Sequence, residues 1–145
     1  MNGAGRLPDF HGAAVDGMQA AARWLSTVMK QLVDVQCQAY GEIVPKDPEQ
    51  EYGPVYHHSR PGQPPFKESG VGQGSIDSED TSVGARVGVH GIGTGNMIGE
   101  NYMAGWDSEA GIRGVRRPWL HRWKDYRPMM DKIVLREIKI QTGAV

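Results

Sequence analysis

The chain has a single cysteine, Cys37, in 145 residues, so it can form no internal disulfide. That usage suits a reducing cytoplasm, where thiols stay reduced. No apolar run approaches the ~20 residues that span a bilayer, and the N-terminus lacks the basic-then-apolar pattern of a signal peptide. The expectation is a soluble protein that does not engage a membrane. Aromatic residues are sparse at 8%, with only two phenylalanines, and hydrophobic residues make up 39% of the chain. A strong charge of one sign is also missing: the net charge of −1 excludes a simple polycation.

Glycine and proline are plentiful instead, 20 and 9 residues respectively. They concentrate in "SRPGQPPFKESGVGQGSI", residues 59–76, which can neither fill a core nor hold a helix. The length fits one domain, 1–145, able to bury roughly 68–70% of its extended surface. The composition predicts a core built from the two ends, joined by a loop-rich middle. The near-zero net charge hides a split. Residues 111–145 hold nine Lys/Arg against Asp125, Asp131 and Glu137, giving +6; residues 1–110 hold seven against fourteen acids, giving −7. Such a division suits a nucleic-acid-facing segment, complementary contacts between copies, or a solvated basic helix.

The periodicity predicts an α+β fold: a long N-terminal helix, a small antiparallel sheet with a Pro/Gly-rich arm or loop, and a C-terminal helix. Phe10, Ala14, Met18, Ala21, Leu25, Val28, Leu32 and Val35 recur at steps of three and four, the stripe of an amphipathic helix over 10–42. A helix of about thirty residues would reach about 45 Å, so a break near Gly17 or a projection toward a neighbour is expected. Pro45 and Pro48 end it. Residues 43–80 read as the extended arm, with Ser75-Ile76 opening a strand. "TSVGARVGVHG" (81–91) alternates Val83, Ala85, Val87 and Val89 with Gly84, Arg86 and Gly88, a half-buried strand with glycines on its second face. "ENYMAGWD" (100–107) is the expected partner, giving strands over 81–107. Pro118 fits a first helical position, opening a helix over 117–140. Leu120, Trp123, Tyr126, Met130, Ile133, Val134 and Ile138 supply its apolar stripe, and Pro128 is expected to kink or restart it.

No constellation assembles a catalytic site. "GIGTGNMIG" fails the GxGxxG spacing, since its third glycine falls at Asn96 or Ile98, and no Gly-Lys-Ser/Thr follows. His57 and His58 on an extended segment point to opposite faces, so they cannot readily chelate one ion with His90, Asp77 or Cys37. Cys37 lies inside the first helical pattern, where a buried structural thiol is the default, and Ser75 lacks a G-x-S-x-G elbow. The expectation is a protein with no enzymatic activity, cofactor or metal. In 113–127, arginines interleave with Trp119, Trp123 and Tyr126, aromatics that suit base stacking or, at helical spacing, a core face.

These segments in order resemble the neck or tail-completion proteins of lambda-like long-tailed phages, including the minor tail protein Z group. The family pattern runs from an amphipathic helix through a proline-rich segment to a T-G-x-L-x-x-S-I motif, a V-x-V-G strand, Y-A-x-Y-x-E-x-G, and an R-P-F-L-R-P-A helix. Ser69 and Gly70 stand at the threonine and glycine of the first motif, and Ser75-Ile76 at its end. "ARVGVHG" supplies the strand, and Tyr102 and Asp107 bound the Y-A-x-Y-x-E spacing. Arg117, Pro118, Trp119 and Leu120 stand at the terminal helix motif. Gly72 replaces the leucine, Gln73 and Gly74 the two arginines, and Gly105 the second aromatic.

The resemblance implies a structural virion protein at the head–tail junction, forming a homo-oligomeric ring of six or twelve copies. It implies contact with head-closure proteins above and tail-terminator or tail-tube proteins below. DNA would pass through the lumen without sequence-specific binding. The alternatives are a tail terminator capping the tube and a small nucleic-acid-binding protein using the basic C-terminal helix. The residues expected at subunit contacts are Pro64, Pro65, Gly70, Ser75, Tyr102, Trp106, Arg117 and Trp119. The arm is expected to find its packing partners in a neighbouring subunit, since proline lowers the entropy lost on ordering.

Overall fold

The computed structural model describes residues 7–35, 59–67, 70–89, 103–104, 106–112 and 114–143. Helix α1 (Phe10–Leu32) starts at Asp9, whose carboxylate accepts the Gly12 N–H at 2.8 Å, an N-cap that satisfies one orphan donor of the first turn. It runs through Gly17 without a break. A Cβ at Gly17 would lie 2.9 Å from the Val134 Cα and 3.0 Å from the Val134 carbonyl oxygen, so the glycine marks a close helix crossing and no hinge. α1 also ends earlier than its apolar stripe suggests. At Val33 the backbone turns, and the Asp34 N–H donates to the Gln31 carbonyl at 3.2 Å. The helix is 23 residues, about 34 Å, matched to one small domain. Residues 36–58 lie outside the described residues.

The proline/glycine middle is more structured than its composition implies. Gly70, at φ +84°, leads into a single helical turn, α2 (Val71–Gly74), closed by the Ser75 hydroxyl donating to the Gly72 carbonyl at 2.6 Å. Strand β1 (Ile76–Thr81) follows, inside the stretch expected to be arm. It pairs antiparallel with β2 (Gly84–Val89), from Ile76 opposite Val89 to Thr81 opposite Gly84. Ser82 and Val83 form the turn, which puts Val83 in solvent and not on the strand's apolar face. The expected partner strand is instead helical at Met103–Ala104 and Trp106–Asp107. Met103 and Asp107 stand four apart, a spacing that one helical turn brings to the same side, and both are buried.

The C-terminal segment is helical as expected, but its start is displaced. A 3₁₀ turn (Leu120–Arg122) leads into α3 (Trp123–Thr142), so Pro118 precedes the helix. α3 runs through Pro128 and closes at Gly143, whose φ of +68° lets its N–H donate to the Lys139 carbonyl at 2.9 Å. Leu25 and Met29 of α1, Val33 at its C-cap, Ile76 of β1, Met103 and Trp119 form the buried core. Trp24, Val87, Val89, Trp123, Tyr126 and Met130 pack around it, with Trp24 meeting Tyr126 edge-on at 6.0 Å.

Candidate functional site

The segment 116–121 folds back onto Asp107, nine to fourteen residues away in sequence. Its carboxylate is buried. Oδ1 accepts the backbone N–H groups of Trp119 at 2.9 Å and His121 at 3.1 Å, and Oδ2 lies 2.6 Å from His121 Nδ1. Asp107 thus caps the 3₁₀ turn from outside the local chain, which is why the helix begins after Trp119 and not at Pro118. The Trp119 indole N–H donates to the Met103 carbonyl at 2.7 Å, which satisfies the one polar atom of a side chain only 1% exposed. Arg116 donates to the Asp107 carbonyl through Nε and Nη2. The His121 imidazole that makes this contact is half exposed. The Asp107–His121 pair caps the 3₁₀ turn.

Arg117 ties the arm to this cluster. Its guanidinium lies 4.3 Å over the Trp106 ring, donates from Nε to the Ser59 hydroxyl at 3.0 Å, and donates from Nη2 to the Ser59 carbonyl at 3.1 Å. The Gly62 N–H donates to the Arg116 carbonyl at 2.8 Å, and Arg122 donates to the Gly62 carbonyl at 3.2 Å. At the other end of the arm, the Lys67 N–H donates to the Val35 carbonyl at 2.7 Å. Lys67 Nζ also meets Asp34 at 2.6 Å, and Gln73 donates to the same carboxylate at 2.7 Å. The Lys67 hydrogen bond foremost, then that of Gln73, holds the Asp34 carboxyl below its ordinary range. Residues 59–67 therefore find their partners inside the chain, which corrects the expectation that a neighbour must supply them.

The expected contact residues gather in this region. Arg117 meets Trp106 directly, and Trp119 is bonded to Asp107 and Met103; Pro64 is half-buried and Pro65 buried in the strapped arm. Gly70 and Ser75 bracket α2, whose Gly72 would place a Cβ 2.9 Å from Met103. Tyr102 lies outside the described residues. Trp119 spends its whole surface on its own chain, and Arg117 is engaged by Ser59 and Trp106. Position 72 is glycine where Met103 fills the space a side chain would need.

The outward surfaces are elsewhere. On α3, Lys124, Arg127, Lys132, Arg136 and Lys139 are exposed and have no ion-pair partner among the described residues. Leu135 and Ile140 stand among them at 64% and 65% exposure, with Met129 at 45%. The hairpin turns Asp77 and Glu79 outward, and its tip carries Val83 at 71% exposure. The periodicity of α3 hid this surface, because its core stripe and its solvent stripe both contain aliphatic residues. Among the described residues, no group of three His, Cys, Asp or Glu side chains is placed to hold a metal ion, and no helix is long and apolar enough to cross a membrane.

A scan of protein-family models and searches of curated proteins and solved structures each return no match to this chain.

Proposed function

We propose that this chain is a structural virion protein that forms a homo-oligomeric ring at the head–tail junction of a long-tailed phage. In that role it links the head-closure protein to the tail and lets DNA pass. The observation that carries the reading is the solvent side of α3, where Met129, Leu135 and Ile140 are exposed among basic residues without ion-pair partners in the described chain. Scattered single apolar residues on a surface are ordinary. Three on one helix of a chain with so small a buried core have the composition of a surface that meets protein. The order of motifs from Ser69-Gly70 to Arg117-Pro118-Trp119-Leu120 supplies the phage context. The arm is not needed for this reading, since 59–67 packs on its own chain. A tail terminator, also a ring, belongs to the same context.

A nucleic-acid reading draws on the same five exposed Lys/Arg of α3, which suit phosphate contacts. Against it, Trp119 is buried, and Trp123 and Tyr126 pack against the core, so these aromatics do not present free faces for base stacking. Native mass spectrometry and negative-stain imaging of the purified full chain separate the two. Closed rings of six or twelve copies are expected. A monomer at every concentration, with a DNA affinity that falls steeply with salt, would sink the ring and favour the second reading.

A further inference from the structure

α1 separates two surfaces of opposite charge. Its Gly17 and Trp24 meet Val134 and Tyr126 of α3, whereas Gln19 and Arg23 reach Thr81 and Asp80 of the hairpin. At 3.6 residues per turn, the Gly17/Trp24 and Gln19/Arg23 pairs centre about 130° apart around α1. The helix α3 and the hairpin therefore pack on different sides of α1, and each turns its other face away from the molecule.

Those outer faces are complementary. On α3, Lys132, Arg136 and Lys139 recur at i, i+4 and i+7, a stripe about 10 Å long, with Met129 and Ile140 along its edge. On β1, Asp77 and Glu79 alternate onto the face opposite Ile76, about 7 Å apart, and exposed Val83 caps the hairpin tip. Across the ladder only Arg86, opposite Glu79, offsets the two acids. Two acids and an apolar tip on one side thus match three bases and an apolar edge on the other, at similar spacing. One copy cannot join its own two faces, because α1 stands between them.

We infer that the hairpin of one copy docks on the α3 stripe of the next, the heterologous contact that builds the ring. The inference rests on the ring reading above and names the surfaces that reading leaves open. A head-to-tail contact leaves one acidic and one basic face unpaired at the ends of any open chain, and closure removes both. The occupant of the stripe is a second copy and not a phosphate backbone. Met129 and Ile140 have no use for phosphates, and Asp125 and Asp131 on the same helix repel them.

A charge-reversal exchange tests this. K132E/R136E makes both outer faces acidic, and D77K/E79K makes both basic. Each alone opposes like charges, which raises the concentration needed for assembly by on the order of 100-fold or more. Mixed one to one, each variant offers the face the other needs, and oligomers of alternating composition return, read by native mass. Circular dichroism confirms that each variant keeps its fold; should one fail to, the neutral pair K132Q/R136Q and D77N/E79Q replaces it. The expected reading with the neutral pair is weakened assembly that has lost its salt dependence. If either reversed variant assembles as the wild type does, or if the mixture stays monomeric, the docking pair is wrong while the ring stands. If the wild type never assembles, the ring reading itself fails. If K132E/R136E loses DNA retention but assembles normally, the stripe is a nucleic-acid surface and the inference is overturned.

Discussion

Trp119 is the largest side chain that the fold takes fully out of water, and it does so with its indole N–H bonded to the Met103 carbonyl. Trp119→Ala would leave a cavity between α1, β1 and the 103–107 turn and strand that carbonyl. A loss of about 3–5 kcal/mol in urea unfolding is expected, most of the margin of a small domain. A loss under about 1 kcal/mol would mean that the site is not close-packed. Asp34 makes a different kind of prediction, because it is exposed and its effect depends on protonation. Lys67 and Gln73 bond the ionised carboxylate and hold its folded pKa below the ordinary 3.8. A carboxyl lowered on folding adds stability above its unfolded pKa and loses it as pH falls through the folded one. The clamp between α1, the arm and α2 should therefore hold at neutral pH and release in acid below 3.8. Carboxyl carbon shifts should titrate below that value, and Asp34→Asn should remove this part of the acid limb.

At the scale of elements, the pairing of α1 with α3 depends on the absence of a side chain. Gly17→Ala would push a Cβ against the Val134 backbone, which cannot swing aside as a side chain tip could. Separation of the helices at this crossing should cost about 1–3 kcal/mol in thermal or urea unfolding, despite alanine's better helix propensity. The reverse sign would show that the crossing is looser than 2.9 Å implies. The arm is held as an element by Arg117 and Arg122 at its Ser59–Gly62 end and by Val35 and Asp34, which meet Lys67, at the other. Arg117→Ala should free its Ser59 end, and limited proteolysis should then cut near residues 59–62 several-fold faster. Deleting the arm should cost folding stability as well as any effect on assembly. The proline and glycine content of 59–67 was legible. Its docking was not, because the partners are backbone carbonyls and a guanidinium, which leave no periodic mark in the sequence.

For the whole molecule, part of the charge split of the sequence becomes two outward faces, Lys132, Arg136 and Lys139 on α3 and Asp77 and Glu79 on the hairpin. Contacts between such exposed charges weaken as the screening length falls from about 10 Å at 0.1 M salt to about 3 Å at 1 M. Assembly should therefore weaken steadily with added salt in sedimentation runs, while the unfolding midpoint moves little because the core is apolar. Assembly that strengthens with salt would assign the contact to Leu135 and other apolar surface instead of the charged stripe. The candidate interface was only half legible. Charge counting found the asymmetry, but Trp119 and Arg117, the residues that motif order selects, turn inward.

The sequence alone determined the two long helices, the β2 strand through Val87 and Val89, and the Ser75-Ile76 strand start. Each of these follows from local spacing or residue type, which act within a few positions of the chain. Only the tertiary structure decided that Ile76–Thr81, polar apart from Ile76, is the partner of β2, and that Met103–Ala104 and Trp106–Asp107 are helical. It also decided where α3 begins, through a carboxylate twelve residues upstream of Trp119. Those outcomes depend on which buried groups find partners across the fold, a matter of long-range hydrogen bonding and packing that no local pattern encodes.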